Sequence, residues 1–237
     1  MIWIYAMCER AALAPQHTGL AGAPLEVVGE DELLAVISRH AELPDVRALD
    51  ALWAHEQVVE RLMAEGPVLP MRFGSCLPSC AAVRAALAAR RDGLHGALEA
   101  VRGRVELAVR ARRVAGNGGH DALPAEVAAD ADHAGRGYVR HKLEALDQID
   151  AAGAALHAPL AAAAVAERRR PVRTSGEVLR ASYLVERAAV AEFRSLAQRL
   201  QGEHAEVAML CTGPWPPYSF VEVPVGSPAI GGEGASG

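Results

Sequence analysis

The sequence predicts an α+β protein of two domains, and three observations predict it. At 237 residues the chain suits one large domain or two small ones. Short apolar or alternating runs of strand type interleave with longer runs of helical period from the N-terminus to about residue 220. The order of those runs changes near Arg102. Before it come three strands, a helix, a strand and helices; after it come strand, helix, strand, strand, helix, strand. The second order is the split-βαβ pattern. Residues 103–224 are therefore expected to form a modified ferredoxin-like (βαββαβ) domain with an extra helical segment, beside an N-terminal α+β domain at 1–102. The name describes topology only, because the cysteine spacing of an iron–sulfur cluster is absent.

In chain order, IWIYAMC at 2–8 reads as a strand buried on both faces. The run that follows the His17–Pro24 loop fits either a helix or a hairpin; its β-branched residues favour strands at 25–28 and 33–38. Leu49–Glu65 has helical period, with Leu52, Val59, Leu62 and Met63 on one face, Asp50 placed to cap it and Gly66-Pro67 ending it. VLPMRFG follows as a strand in which Pro70 argues for an edge or a bulge. Helical period resumes at Ser79 and runs to about Val101, with breaks at Gly93 and Gly96. Residues 104–112 alternate, Val105, Leu107 and Val109 opposing Glu106, Ala108 and Arg110, as a half-buried strand does. Residues 114–135 read as a flexible Gly/Ala/Asp-rich insertion. A helix is expected from about Tyr138, with its pattern running on to Arg170, then two strands around Ser175-Gly176. A helix from Glu186 to Gln201, closed by Gly202, and a last apolar strand, AEVAMLCTG, complete the domain.

Composition narrows the function. Hydrophobic residues reach 51% but aromatics only 4%, so much of the apolar content is alanine, and Leu, Val and a few aromatics must build the core. A net charge of −5 and a pI near 6.0 argue against nucleic-acid binding. The one dense basic run, Arg168 to Arg170, reads as a solvated helix end rather than a phosphate site. The N-terminus lacks the basic region of a signal peptide, and no run approaches ~18 apolar residues, so no membrane span and a cytoplasmic location are expected. Cys76 and Cys80 lack the two further ligands a zinc site needs, and Cys8 and Cys211 sit alone in apolar runs. No metal or other cofactor is expected.

No nucleophile elbow, Walker loop or dinucleotide fingerprint occurs. GNGG at 116–119 reads as a loop. His55 and Glu56 are adjacent on a helix, about 100° apart, so they read as a helix surface with a partly buried histidine rather than as a shared acid–base face. Arg72 suits either a structural ion pair or an acidic partner, the structural role being favoured. Glu30, Asp31 and Glu32 read as a solvated turn. Nothing here specifies an enzyme, and no catalytic residue is assigned.

Two segments carry a resemblance instead. VLPMRFGS at 68–75 follows a helix containing HEQVVERLM, and TGPWPPYSFV at 212–221 follows an apolar strand. Between them ASYLVERAAVAEF supplies Tyr183, Leu184, Val185 and Phe193. With the WIYAM strand these resemble the GvpL/GvpF family of gas vesicle proteins over residues 1–112 and 136–223. Met71 stands where Leu is expected, and Ser75-Cys76 where Thr-Val is more usual. The marker residues, structural or interaction-bearing, are Pro70, Arg72, Phe73, Gly74, Tyr183, Leu184, Val185, Phe193, Gly213, Pro214, Trp215, Pro216, Pro217, Tyr218 and Phe220. The resemblance implies a non-enzymatic accessory or minor structural protein that binds the hydrophobic shell protein, meets other gas vesicle accessory proteins and supports vesicle assembly. The alternative is a small-ligand-binding protein or enzyme on a ferredoxin-like scaffold.

The proline-rich marker has its own expectation. Pro214, Pro216 and Pro217 remove three backbone donors, so the segment is no central strand. Gly213 permits a bend, after which Trp215 and Tyr218 are laid against the domain. Trp215 is expected to be mostly buried, with a partner for its indole N–H, so that Trp215→Ala would destabilise by roughly 3–5 kcal/mol. SFVEV is expected to resume strand alternation, and 225–237 to form a disordered tail.

Overall fold

The computed structural model describes residues 1–9, 17–42, 47–114, 151–172, 176–221 and 227–228. It is an α+β protein with two antiparallel sheets, dividing into two compact units, Met1–Glu106 with Pro214–Gly237, and Leu107–Gly213.

The first unit is organised on β1 (Ile2–Cys8), every residue of which is buried. β1 pairs antiparallel with β3 (Leu33–Arg39), and also with β4 (Val68–Pro70) and β5 (Ser75–Leu77). β2 (Glu26–Glu30) pairs with β3 through a two-residue turn, so the ambiguous run is the expected hairpin. Pro70 ends a three-residue strand that lies off the main path of the sheet, where its missing donor is tolerated. α1 (Leu49–Glu65) covers one face. α2 (Cys80–Ala88) and α3 (Arg91–Val101) cover the other. Alternation along β1 feeds both: Ile2, Ile4 and Met7 join Leu87, Leu94 and Leu98, while Trp3 and Tyr5 join Val58, Val59 and Leu62. A register shift between Ile4 and Ala6 turns Tyr5 and Ala6 both towards the α1 layer.

The second unit holds most of β6 (Arg104–Arg113), the helical residues 151–162 (α4), β7 (Ala166–Arg169), β8 (Glu177–Glu186), α5 (Val190–Glu203) and most of β9 (Val207–Trp215). The sheet order is β7–β8–β6–β9, the second, third, first and fourth strands of the unit in chain order. Leu156 and Leu160 of α4 and Phe193, Ala197 and Leu200 of α5 form a core with Leu107, Val109, Leu179, Tyr183 and Val185.

Several expectations shift. The boundary lies at Glu106–Leu107 rather than near Arg102, and Pro214 onward belongs with the first unit. The cap of α1 is Ala48; Asp50 Oδ1 accepts from the neighbouring Ala51 N–H instead. Ser79 does cap α2, accepting from Ala82 N–H. The break after it falls at 89–90, and Gly93 and Gly96 lie inside α3, whose buried Leu94, Leu98 and Val101 outweigh the weak helix propensity of glycine. The alanine-rich pattern does not carry a helix to Arg170. Residues 166–169 are a strand paired with 181–184, and ladder bonds override alanine's helix preference. Arg168 and Arg169 are thus on a strand, not a helix end. Gly202 lies within α5, whose cap is His204. Ser219 and Phe220 are in a 3-10 turn closed by bonds from Tyr218 N–H to Pro216 O and Phe220 N–H to Pro217 O, not in a strand. Ser227–Pro228 (β10) pairs with Ser75 and Cys76, so these two residues are not part of a disordered tail. The insertion at 115–135, the helix start near Tyr138 and the rest of the tail lie outside the described residues.

Candidate functional site

One marker residue of the first unit, Phe73, packs against a buried histidine. His55 falls on the inner side of α1, and Trp3 and Tyr5 reach it from β1. Trp3 Nε1–H donates to His55 Nδ1 at 3.1 Å, which places the ring proton on Nε2, facing Met71 O at 3.0 Å. Tyr5 stacks on the ring at 5.3 Å, and Phe73 meets it edge-on at 5.6 Å. Phe73 reaches that position from the tight turn between β4 and β5. There Gly74 has φ 91, a conformation that favours glycine. Burial lowers the His55 pKa from about 6.5 to about 4, so the ring is neutral and fully bonded. It is a structural keystone rather than the partly buried surface histidine expected.

Its neighbour Glu56 points elsewhere. Tyr218 Oη–H donates to Glu56 Oε1 at 2.9 Å, and burial raises the pKa of both groups. Next to Tyr218, Ser219 N–H and Oγ–H donate to the two carboxylate oxygens of buried Glu106, at 2.8 and 2.7 Å. Pro216 and Pro217 are buried. Residues 216–219 therefore form a strap on the first unit, after a bend at Gly213, where φ is 112. Trp215 does not take part as expected: it is 42% exposed, and the large loss expected for a buried tryptophan does not apply. The strap instead buries Pro216 and Pro217 and packs the half-buried Tyr218 against the core of the first unit. Pro214 is exposed and Phe220 half-buried.

In the second unit Tyr183 is fully buried on β8, packed on Phe193 at 5.3 Å and on His157 at 5.7 Å. Its hydroxyl meets His157 Nδ1 at 2.7 Å, while His157 Nε2 faces Glu167 at 3.5 Å. Burial raises the Tyr183 pKa, so the hydroxyl stays protonated and donates. Leu184 and Val185 are buried beside it. Each of these residues does packing work.

What remains for a partner lies outside. Arg72 is exposed rather than paired with an internal acid, against the structural role favoured from sequence. On α1, Leu49 is 72% exposed and Trp53 65%, with Leu52 at 38% beside them. Sequence reasoning placed Leu52 in the core and passed over Trp53. A helical wheel carries the signal: Trp53 stands about 140° from Val58, well off the buried stripe of His55, Val58, Val59 and Leu62. The Glu106–Ser219 pairing had no local signal, because 113 residues separate its partners. Among the described residues no group of three His, Cys, Asp or Glu is placed to hold a metal ion, and no helix is long and apolar enough to cross a membrane.

The chain is similar to known proteins along most of its length. A family described as "Gas vesicle synthesis protein GvpL/GvpF" matches residues 1–222. Gas vesicle protein F1 of Halobacterium salinarum is 26% identical over 95% of each chain. Gas vesicle protein L of a Streptomyces species is 32% identical over 86% of each chain. The crystal structure of GvpF from Anabaena superposes with a TM-score of 0.78 at 17% identity, covering 95% of this chain and 98% of that one, and so shares its fold. The match along nearly the whole length, including the arginine-containing turn and the proline strap, makes the chain a member of the GvpL/GvpF family of gas vesicle proteins.

Proposed function

We propose that this protein is a non-enzymatic accessory or minor structural protein of gas vesicles, located with them in the cytoplasm, that binds the hydrophobic shell protein and supports assembly. The observation that carries this reading is the family match over residues 1–222. The physical logic is that a shell subunit with an exposed apolar β-face aggregates unless it is held or incorporated. A chaperoning surface needs accessible apolar side chains, and Leu49, Leu52 and Trp53 on α1 supply them. The two side chains best suited to acid–base chemistry, His55 and Glu56, are committed to Trp3, Met71 and Tyr218, which favours a binding role over catalysis. The second unit fits a ferredoxin-like reading: its strand order is the one a βαββαβ chain gives when its first and third strands lie side by side at the centre.

The test is capture of purified shell protein by the full chain, with unrelated hydrophobic peptides as controls. Preferential capture of the shell protein is expected. Equal or absent binding overturns the proposal.

A further inference from the structure

Sheet edges present unpaired N–H and C=O groups, which proteins usually guard with charge, proline or a covering element. β7, a terminal strand of the second sheet, carries Glu167, Arg168 and Arg169 among its four residues. β2, a terminal strand of the first, carries Glu26, ion-paired with Arg39 at 2.8 Å. Among the described residues β9 is terminal too, yet its nine residues, VAMLCTGPW, include no charge.

Two side chains of α5 meet the β9 edge instead. Val114 N–H bonds Glu206 O at 2.9 Å, so Glu206 and the residues in phase with it turn their backbone groups to β6. Val207, Met209, Cys211 and Gly213 turn outward. On that outward row Gln201 Nε2–H donates to Val207 O at 2.6 Å, and Gln201 Oε1 accepts from Met209 N–H at 2.5 Å. Arg194 donates to Gly213 O. In a parallel ladder a residue donates to the carbonyl one place before its partner and accepts from the N–H one place after it. The Gln201 amide makes that same pair of bonds about Ala208. It stands where one residue of an added strand would stand. From Val207 to Cys211 the side chains of this edge are apolar on both faces: Ala208 and Leu210 are exposed on one, and Met209 and Cys211 are half-buried on the other. Apart from Arg194 at the Gly213 end, the edge offers a charged incoming strand no ion pair to offset its lost hydration, which favours an uncharged one.

We propose that the outward edge of β9 is a strand-acceptor site, held closed in the free protein by Gln201, and that its occupant is an extended, uncharged, apolar segment of the shell protein that displaces the Gln201 amide. The identity of the occupant rests on the function proposed above; the acceptor edge rests on the strand geometry alone.

Hydrogen exchange and titration on the full chain test it with two probes, the shell protein and a lysine-flanked peptide of sequence VAMLCTG, the chain's own residues 207–213. Removing the competing amide by Gln201→Ala is expected to tighten binding of both about tenfold. Slowed exchange is expected to centre on 209–213. Gln201→Glu keeps the acceptor for Met209 N–H but loses the donor, so it should tighten binding less, and it serves if the alanine variant misfolds. Cys211→Pro blocks the outward row and should abolish binding of both probes. A merely structural Gln201 predicts weaker binding on replacement, and that result overturns the proposal. Shell protein bound without protection of 207–213 also overturns it, while leaving the proposed function standing. Peptide pairing without shell-protein binding keeps the edge and removes both the occupant and the proposed function. Concentration-dependent self-association of Gln201→Ala through β9, seen by sedimentation, overturns the occupant in favour of a second copy.

Discussion

A neutral imidazole between an indole N–H and a carbonyl is stable only while Nδ1 remains an acceptor. Protonation of His55 would set its Nδ1–H against Trp3 Nε1–H inside a cage of Trp3, Tyr5 and Phe73. Its pKa is lowered on folding from about 6.5 to about 4, so the unfolded chain binds the extra proton first. Stability from this group is therefore full above pH 6.5 and is lost as pH falls towards 4, by up to about 3 kcal/mol. Glu56 works in the opposite sense: burial raises its pKa, so its contribution falls as pH rises through that value. Comparison with His55→Asn isolates the histidine. In urea melts at several pH values, the wild-type midpoint should fall more steeply than the variant's between pH 6.5 and 4. Parallel pH profiles would show that His55 is not held neutral by the fold.

At the scale of elements, α1 has two faces with different work. His55, Val58, Val59 and Leu62 fix it to the sheet, while Leu49 and Trp53 contribute little to that core. Trp53→Lys is expected to change stability by less than about 0.5 kcal/mol, as exposed substitutions do, yet to weaken shell-protein capture several-fold. Undiminished capture by a folded variant would remove this face from the proposed function. α4 makes the opposite case. Its Gly153 is buried against β8, where an added Cβ would lie 2.3 Å from Val178 O. Alanine is the better helix former by about 1 kcal/mol, but the clash is with backbone and demands displacement of the helix. Gly153→Ala should therefore destabilise by about 1–3 kcal/mol, and a stabilised variant in a urea melt would refute the close approach. Elements with a local signal were legible in sequence: β1 by its apolar aromatic run, the hairpin of β2 and β3 by its β-branched residues, and α1 by its helical period, with its bounds. Those set by distant pairing were not. β7 exists because 166–169 meet β8, and alanine-rich sequence before it gives no local sign of that. The buried cage was half legible, since Phe73 was singled out as a marker and Trp3 and Tyr5 lie in the quoted WIYAM strand, while their convergence on His55 depends on tertiary packing.

Across the whole molecule, the chain leaves the first unit at Glu106 and returns to it at Pro214, so both ends of the excursion must be fastened. One side-chain pair joins these ends. Glu106 is the last residue of the outgoing segment, and both of its carboxylate oxygens are met by Ser219 of the returning strap. Glu106 is only 6% exposed, so water is a poor substitute for the serine. Removing the hydroxyl by Ser219→Ala leaves one buried carboxylate oxygen without this donor and should cost about 1–3 kcal/mol. Ser219→Thr keeps the hydroxyl and should recover part of that loss. The chain's three tryptophans, Trp3, Trp53 and Trp215, all belong to the first unit, so their fluorescence reports its unfolding selectively. The fluorescence midpoint in urea should drop for Ser219→Ala, and Glu106→Gln combined with Ser219→Ala should lose less than the sum of the two single changes. Strict additivity would show that the pair does not couple the ends, and that the buried prolines and the Tyr218–Glu56 bond hold the strap without it.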